Sequence, residues 1–262
     1  MEIRSDTAAL TAGVAETVPA IDWSRPWLAP WRDPGRQVHA DWQRGMTLAD
    51  ALNRQRPIGI SFVTHQELPR GTPYEAFIRA SGCCPVRETL HDFFNGLAWL
   101  RFPRSKSTLN RLHGAHALDA QGRDGQRGAQ RDALTVFDEN AAICWSMPAA
   151  LADALRAQEW DRVFGTHRSL WRDARLSLFG HALLEKLEQP RKNICAHVLL
   201  LEGPGACADE ELSAALEFQL PRCDKWWVPL PVLGVPGWWP PNEVEGFYAD
   251  RTVFRPAASR RS

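Results

Sequence analysis

The segment from Thr89 to Pro103, TLHDFFNGLAWLRFP, constrains the fold more than any other. Thr89 followed three residues later by Asp92 has the pattern of a helix N-cap. Leu90, Phe93, Phe94, Leu97 and Leu100 then recur at helical spacing, with an apolar face from Phe93 to Leu100. Pro103 marks the end, because its ring and missing N–H do not suit a helix interior. A helix with that face has to be covered by the rest of the chain. The surrounding stretch, Arg87 to Asn110, also carries the adjacent pair His91-Asp92, then Asn95, and a basic group of Arg101, Arg104 and Lys106 that continues to Arg111.

There is ample chain to do the covering. The 262 residues are 44% hydrophobic, enough for a large core without disulfides. Lys plus Arg equals Asp plus Glu, so no global field draws the chain to nucleic acid or membrane, although a local basic patch is compatible with that balance. The six Cys form no C-x-x-C and several sit beside apolar residues, which reads as reduced, partly buried thiols. No signal peptide is evident, and no run approaches the roughly 18 apolar residues of a membrane span. The expected location is the cytoplasm. Twelve Trp point to an interior pinned by indoles, with a stacking surface for bases or sugars as the other possibility.

The rest reads as an α+β chain. Ile21 to Gly35 alternates Trp with Pro26, Pro30 and Pro34, predicting an extended strap with docked indoles. Thr47 caps a short helix to Asn53, and Ile58 to Val63 is a strand. Thr72 is the expected N-cap of a helix ending at Gly82, with Pro73 in its first position and Glu75 closing a capping box. A helix begins at Ser105. Asp119 to Asp132 reads as an exposed flexible loop, and Ala133–Phe137 with Ala141–Trp145 as a β-hairpin whose tip is Asp138-Glu139-Asn140. Helices are expected over 148–158, 180–188 and 209–218, and strands over 176–179 and 194–201. Beyond Asp224 the Pro, Gly and Trp content predicts an ordered wrap with little regular structure. The expected whole is one mainly helical domain over residues 20–256, with a small mixed or antiparallel sheet and flexible termini at 1–19 and 257–262.

Three pieces of sequence carry a family resemblance: PYEAFIRASGCCPVRETLHDFFNGLAWLRFPRSKSTLN, RDALTVFDENAAICWS, and FGHALLEKL with the later PLPVLGVPGWW and FYADRTVFRP. Together they resemble the bacterial domain-of-unknown-function 3025 family over roughly residues 20 to 256. The resemblance implies a bacterial, soluble, single-domain protein and brings no activity and no site residues with it.

Candidate site residues therefore rest on their own chemistry. Adjacent His91 and Asp92 can both ligate one ion, with Asp138 and His181 completing a set suited to Zn, Mn or Fe. Asp92 equally serves as a capping residue of the helix begun at Thr89. His181 and Glu185, four apart, share a helix face as a ligand or hydrogen-bonded pair. Gly180 before them admits another backbone at close range. His65 and His197 are further donors, and His113-x-x-His116 is a pair with nothing acidic inside it. Glu139 or Glu185 is the candidate base, Asn95 a candidate orienting amide, and Arg104 or Lys106 a candidate for holding a substrate anion. Arg123, Arg127 and Arg131 extend the basic group.

P-loop, dinucleotide and α/β-hydrolase signatures are absent from the sequence. The leading expectation is a metal-assisted hydrolase using a divalent ion on a small phosphate- or amide-bearing molecule. The alternative is a non-enzymatic module that binds nucleic acid or protein through a Trp/Arg surface. The sequence sets no oligomeric state.

Overall fold

A computed structural model describes residues 18–118, 124–201, 208–219 and 227–257, leaving aside the side chains of 115–130 and 219. Residues 1–17 and 258–262 of the expected flexible termini, the first part of the expected 119–132 loop, Cys207, Cys223 and Trp226 lie outside these residues, as do the side chains of His116, Arg123 and Arg127.

The first elements correct the expected strap. Pro26–Trp31 is a 3-10 turn that runs into α1, Arg32–Gln43. Pro34 sits in the first turn of α1, where its absent N–H would have had no helical partner anyway. The indoles dock as expected: Trp27 and Trp31 are fully buried. Next come α2 (Leu48–Asn53), capped by Thr47, and β1 (Ser61–Thr64). Helix α3 (Tyr74–Ser81) starts one residue later than expected; Pro73 holds the N-cap position and Thr72 makes no cap bond. It ends at Gly82, whose φ of 68° needs a residue without Cβ. β2 (Cys83–Val86) then pairs with β1 in parallel.

Helix α4 (Leu90–Arg101) is the central element, with Phe93, Phe94 and Leu97 fully buried and Trp99 nearly so. Trp42 stacks on Phe93, and Trp23 and His39 meet its edge. Pro103 opens α5 (Pro103–Leu118) directly, so two residues expected to separate the helices belong to the second.

The largest departure from the sequence reading follows. Asp124–Asn140 is one helix, α6, where a loop and a strand were expected. The β-branched pair Thr135-Val136 suggested a strand, but Leu134 and Phe137 are buried at helical spacing and run into buried Ala141. Asp138 and Glu139 are therefore in the last turn of a helix rather than at a hairpin tip.

β3 (Ala141–Ser146) is one of the two inner strands of a mixed sheet. α7 (Ala149–Arg156) and a π-helical turn at Arg162–Thr166 lead to β4 (Arg175–Leu178), α8 (His181–Lys186), β5 (Cys195–Leu200), α9 (Ala208–Gln219) and β6 (Val228–Pro231). The strand order is β4-β3-β5-β6. β3 and β5 run parallel, and the two outer pairs are antiparallel. The C-terminal wrap contains β6 and 3-10 turns, and it closes over the ring cluster Trp160, Phe164, Trp171, Tyr248 and Phe254. The architecture is α+β and mainly helical. No helix of the described residues is long and apolar enough to cross a membrane.

Candidate active site: paired imidazoles in a polar cavity

The walls of a cavity of about 350 Å³ come from α3, α4, α5, α6 and the start of α8. From α4 it receives His91, Asp92, Asn95 and Trp99, successive turns of one face. From α5 it receives Lys106, Asn110 and His113, spaced four and three apart. From α6 it receives Thr135, Asp138 and Glu139, and from α8 His181. His65, Tyr74, Glu75 and Arg87 contribute from the β1–β2 side.

Two imidazoles of its lining meet. The Nε2 atoms of His91 and His181 are 3.1 Å apart, with the rings at 83° to one another. His91 Nδ1 faces Glu185 Oε2 at 2.9 Å. On the other side His181 Nδ1 faces Asp138 Oδ2 at 4.0 Å, and Asp138 Oδ1 accepts from Lys106 Nζ at 2.5 Å. The proton assignment follows from these partners. An ionised Glu185 requires Nδ1–H on His91, which leaves His91 Nε2 as an acceptor for Nε2–H of His181. The buried Nδ1 of His181 is then a lone pair without a donor.

Electrostatics supports a neutral His181. Burial pushes its pKa down to about 4, and the nearby Asp138 carboxylate only partly opposes this. Burial also lowers His113. For Asp138, burial works upward, but the Lys106 ammonium and His181 outweigh it and hold the carboxyl below its ordinary value.

The depressed His181 value has a measurable consequence. The unfolded chain binds a proton near pH 6.5 that the folded chain refuses until about pH 4, so stability falls as pH drops through that window. Between pH 7 and pH 5 the protein is expected to lose about 2 kcal/mol more unfolding free energy than the His181→Gln variant. Urea denaturation of both at the two pH values checks this; equal losses would show that His181 is not held neutral.

The other candidates fall into place around this pair. Thr89 caps α4 by accepting from the Asp92 N–H. The Asp92 carboxylate accepts from the backbone N–H, Nε and a terminal nitrogen of Arg87, so its lone pairs are committed to that clamp. Asn95 donates to the Tyr74 hydroxyl, which sits 3.1 Å from Cys84 Sγ. Burial pushes the Cys84 thiol up to about 12, which keeps it out of nucleophilic chemistry. Lys106 reaches the cavity wall but is bound to Asp138. Arg104 stays outside. Its backbone N–H, with that of Ser105, is capped by Asp209 of α9, and its guanidinium pairs with Glu210.

The basic group does not form one patch. Arg101 lies over the Trp31 and Phe102 rings and donates to Pro30 O, and Arg111 pairs with Glu217. His197 is away on β5, edge-on to Trp227. Among the described residues, no group of three or more His, Cys, Asp or Glu side chains is placed to hold a metal ion.

Sequence reasoning missed Tyr74, Trp99, Asn110 and Thr135 and undervalued His113. One signal was available. Lys106, Asn110 and His113 fall at helical i, i+4, i+7, a polar stripe along one face of a helix.

No curated protein and no solved structure shows a significant match to the chain. A family profile does: the one described as "Protein of unknown function (DUF3025)" matches residues 60–258, a span that contains every residue of the cavity. The chain belongs to the DUF3025 family.

Proposed function

We propose that this cavity is the active site of a hydrolase for a small polar molecule, with His91 and His181 as the reacting pair. The observation that carries the reading is the meeting of the two Nε2 atoms 3.1 Å apart inside the cavity, each imidazole facing a carboxylate through its other nitrogen. A water or substrate oxygen placed between the rings would donate to the lone pair of His91 and accept from Nε2–H of His181. His91 then acts as general base, with the resulting imidazolium stabilised by Glu185, while His181 steadies the developing negative oxygen. His91, about one-third exposed, is the ring with room to turn toward a ligand, and His181 is the buried one. In this arrangement Glu185 orients His91 rather than serving as the base, and Asp138, bound to Lys106, lies beside His181 without a hydrogen bond to it.

A second reading has its own support. Two imidazole nitrogens each about 2.0 Å from one tetrahedral ion stand roughly 3.3 Å apart, close to the His91–His181 separation. Carboxylates behind both rings are also the usual outer partners of metal-bound histidines. A divalent ion held this way would take its remaining ligands from water and substrate. The Trp/Arg surface has less behind it, since seven Trp are buried among the described residues and Arg101, Arg104 and Arg111 are separately engaged.

The test is a screen of chromogenic amide, ester and phosphate substrates with untagged protein purified without chelator, alongside elemental analysis. The expected result is turnover that falls about 10²–10⁴-fold in His91→Gln. Near-stoichiometric Zn, Mn or Fe, lost in that variant, assigns the water activation to the ion. Metal-free active protein assigns it to His91. Hydrolysis unchanged in both His91→Gln and His181→Gln would remove the proposal.

A further inference from the structure

The charge and hydrogen-bonding needs of the cavity narrow what it can hold. Its lining has two basic side chains, Arg87 and Lys106, and four acidic ones, Glu75, Asp92, Asp138 and Glu139. Both basic groups are already paired, Arg87 with Asp92 and Lys106 with Asp138. Among the described residues, Glu75 and Glu139 are left with no ion pair. The nearby Arg79 donates to the Asn110 carbonyl behind the wall. Burial keeps His113 and His181 from adding positive charge at neutral pH.

The unmet hydrogen-bond capacity has the same sense. Asn95 Oδ1, Asn110 Oδ1 and His181 Nδ1 are buried without a partner, and all three residues are only 6% exposed and line the cavity. Asn95 has committed its Nδ2 to Tyr74, so its free atom is an acceptor. A buried acceptor without a donor is unfavourable, and a ligand bearing N–H groups removes that cost. Tyr74 and Trp99 supply aromatic walls of the kind that also attract cations.

We infer that the cavity accepts a small molecule with a positively charged, N–H-rich head, an amine or a guanidinium compound, and not a phosphate or carboxylate. The inference rests on the reading of this cavity as the substrate site, and it selects among the substrates left open there. The head group lies between Glu75 and Glu139 and donates to the two asparagine amides.

Calorimetric titration tests it with agmatine and butylamine as cationic probes, and inorganic phosphate and butyrate as anionic ones. The wild type is expected to bind a cationic probe below about 10 mM and to bind neither anion. Glu75→Gln and Glu139→Gln are each expected to weaken that binding by about tenfold, roughly 1.4 kcal/mol. The exposed Asp173→Asn, away from the cavity, leaves it unchanged. Preference for phosphate or butyrate, no cationic binding up to about 10 mM, or cationic binding indifferent to both Glu variants would each overturn the inference. Cation binding without hydrolysis of any substrate would keep it while removing the hydrolase reading.

Discussion

Lys106→Met is expected to destabilise the protein by about 3 kcal/mol, a drop in Tm of roughly 6–10 °C for a chain of this size. The Lys106 side chain is 4% exposed and its ammonium sits against Asp138 Oδ1. Methionine fills nearly the same volume, so packing is kept and charge is the main loss. What remains is a carboxylate with no cation beside it, and the penalty arises there. The sign can be checked with pH. In the wild type, Lys106 holds the Asp138 pKa low, and the stability this provides is present above the unfolded carboxylate range. In Lys106→Met, burial acts unopposed by the ammonium, so Asp138 takes up a proton more readily. The difference between variant and wild type in urea melts should therefore shrink from pH 7 to pH 5. Adding Asp138→Asn should recover part of the loss, and the double-mutant cycle gives the coupling. A difference that is the same at both pH values would mean that the ammonium does not hold Asp138 charged.

Gly180→Ala is expected to cost about 3 kcal/mol, although nothing about its backbone requires glycine. Its φ is −63°, open to any residue. The reason is space. A Cβ at this position would lie 2.3 Å from Glu139 O and 2.5 Å from both Glu139 C and Asn140 N. All three atoms are backbone, at the end of α6, and cannot turn away as a side chain would. Relief has to come from α8 moving off α6, which carries His181 away from Asp138 and from its contact with His91. The expected signature is a lower Tm together with weakened ligand binding. Gly165→Ala is the control: nothing lies within 4 Å of its Cβ position, and the change should stay within about 0.5 kcal/mol. Equal stability of the two variants would show that the two elements are not in tight contact.

How far the sequence revealed this arrangement depended on the range of each signal. Helix α4 was legible because its cap, its apolar spacing and its terminating proline are all local. Gly180 was legible as a point of close approach, since a glycine before a helical histidine has few other uses. Helix α6 was not, because its first turns carry Gly, Gln and Arg rather than an apolar stripe. The β-branched Thr135-Val136 then outweighed the i, i+3 pair Leu134 and Phe137. The two histidines were recognisable as candidates, but their meeting joins residues 90 positions apart, and the His91–Glu185 contact spans 94. Sequence periodicity has no term for a contact of that kind. Arg104 and Lys106, two apart and alike in charge, show the limit most plainly: one faces α9 and the other faces the cavity.

The capping of α5 bears on the order in which the protein can be completed. The side chain that satisfies the first turn of α5, Asp209, accepts from the Ser105 amide and hydroxyl across a separation of 104 residues. At a synthesis rate of about 5–20 residues per second, that carboxylate leaves the ribosome roughly 5–20 s after the amide it caps. Through that interval Lys106, in the same first turn, belongs to a helix whose leading N–H groups face only water. The cavity wall that Lys106 and Asp138 share thus becomes fixed from outside and late. α9 supplies neither member of the reacting pair, yet its Asp209 holds the first turn of the helix that carries Lys106.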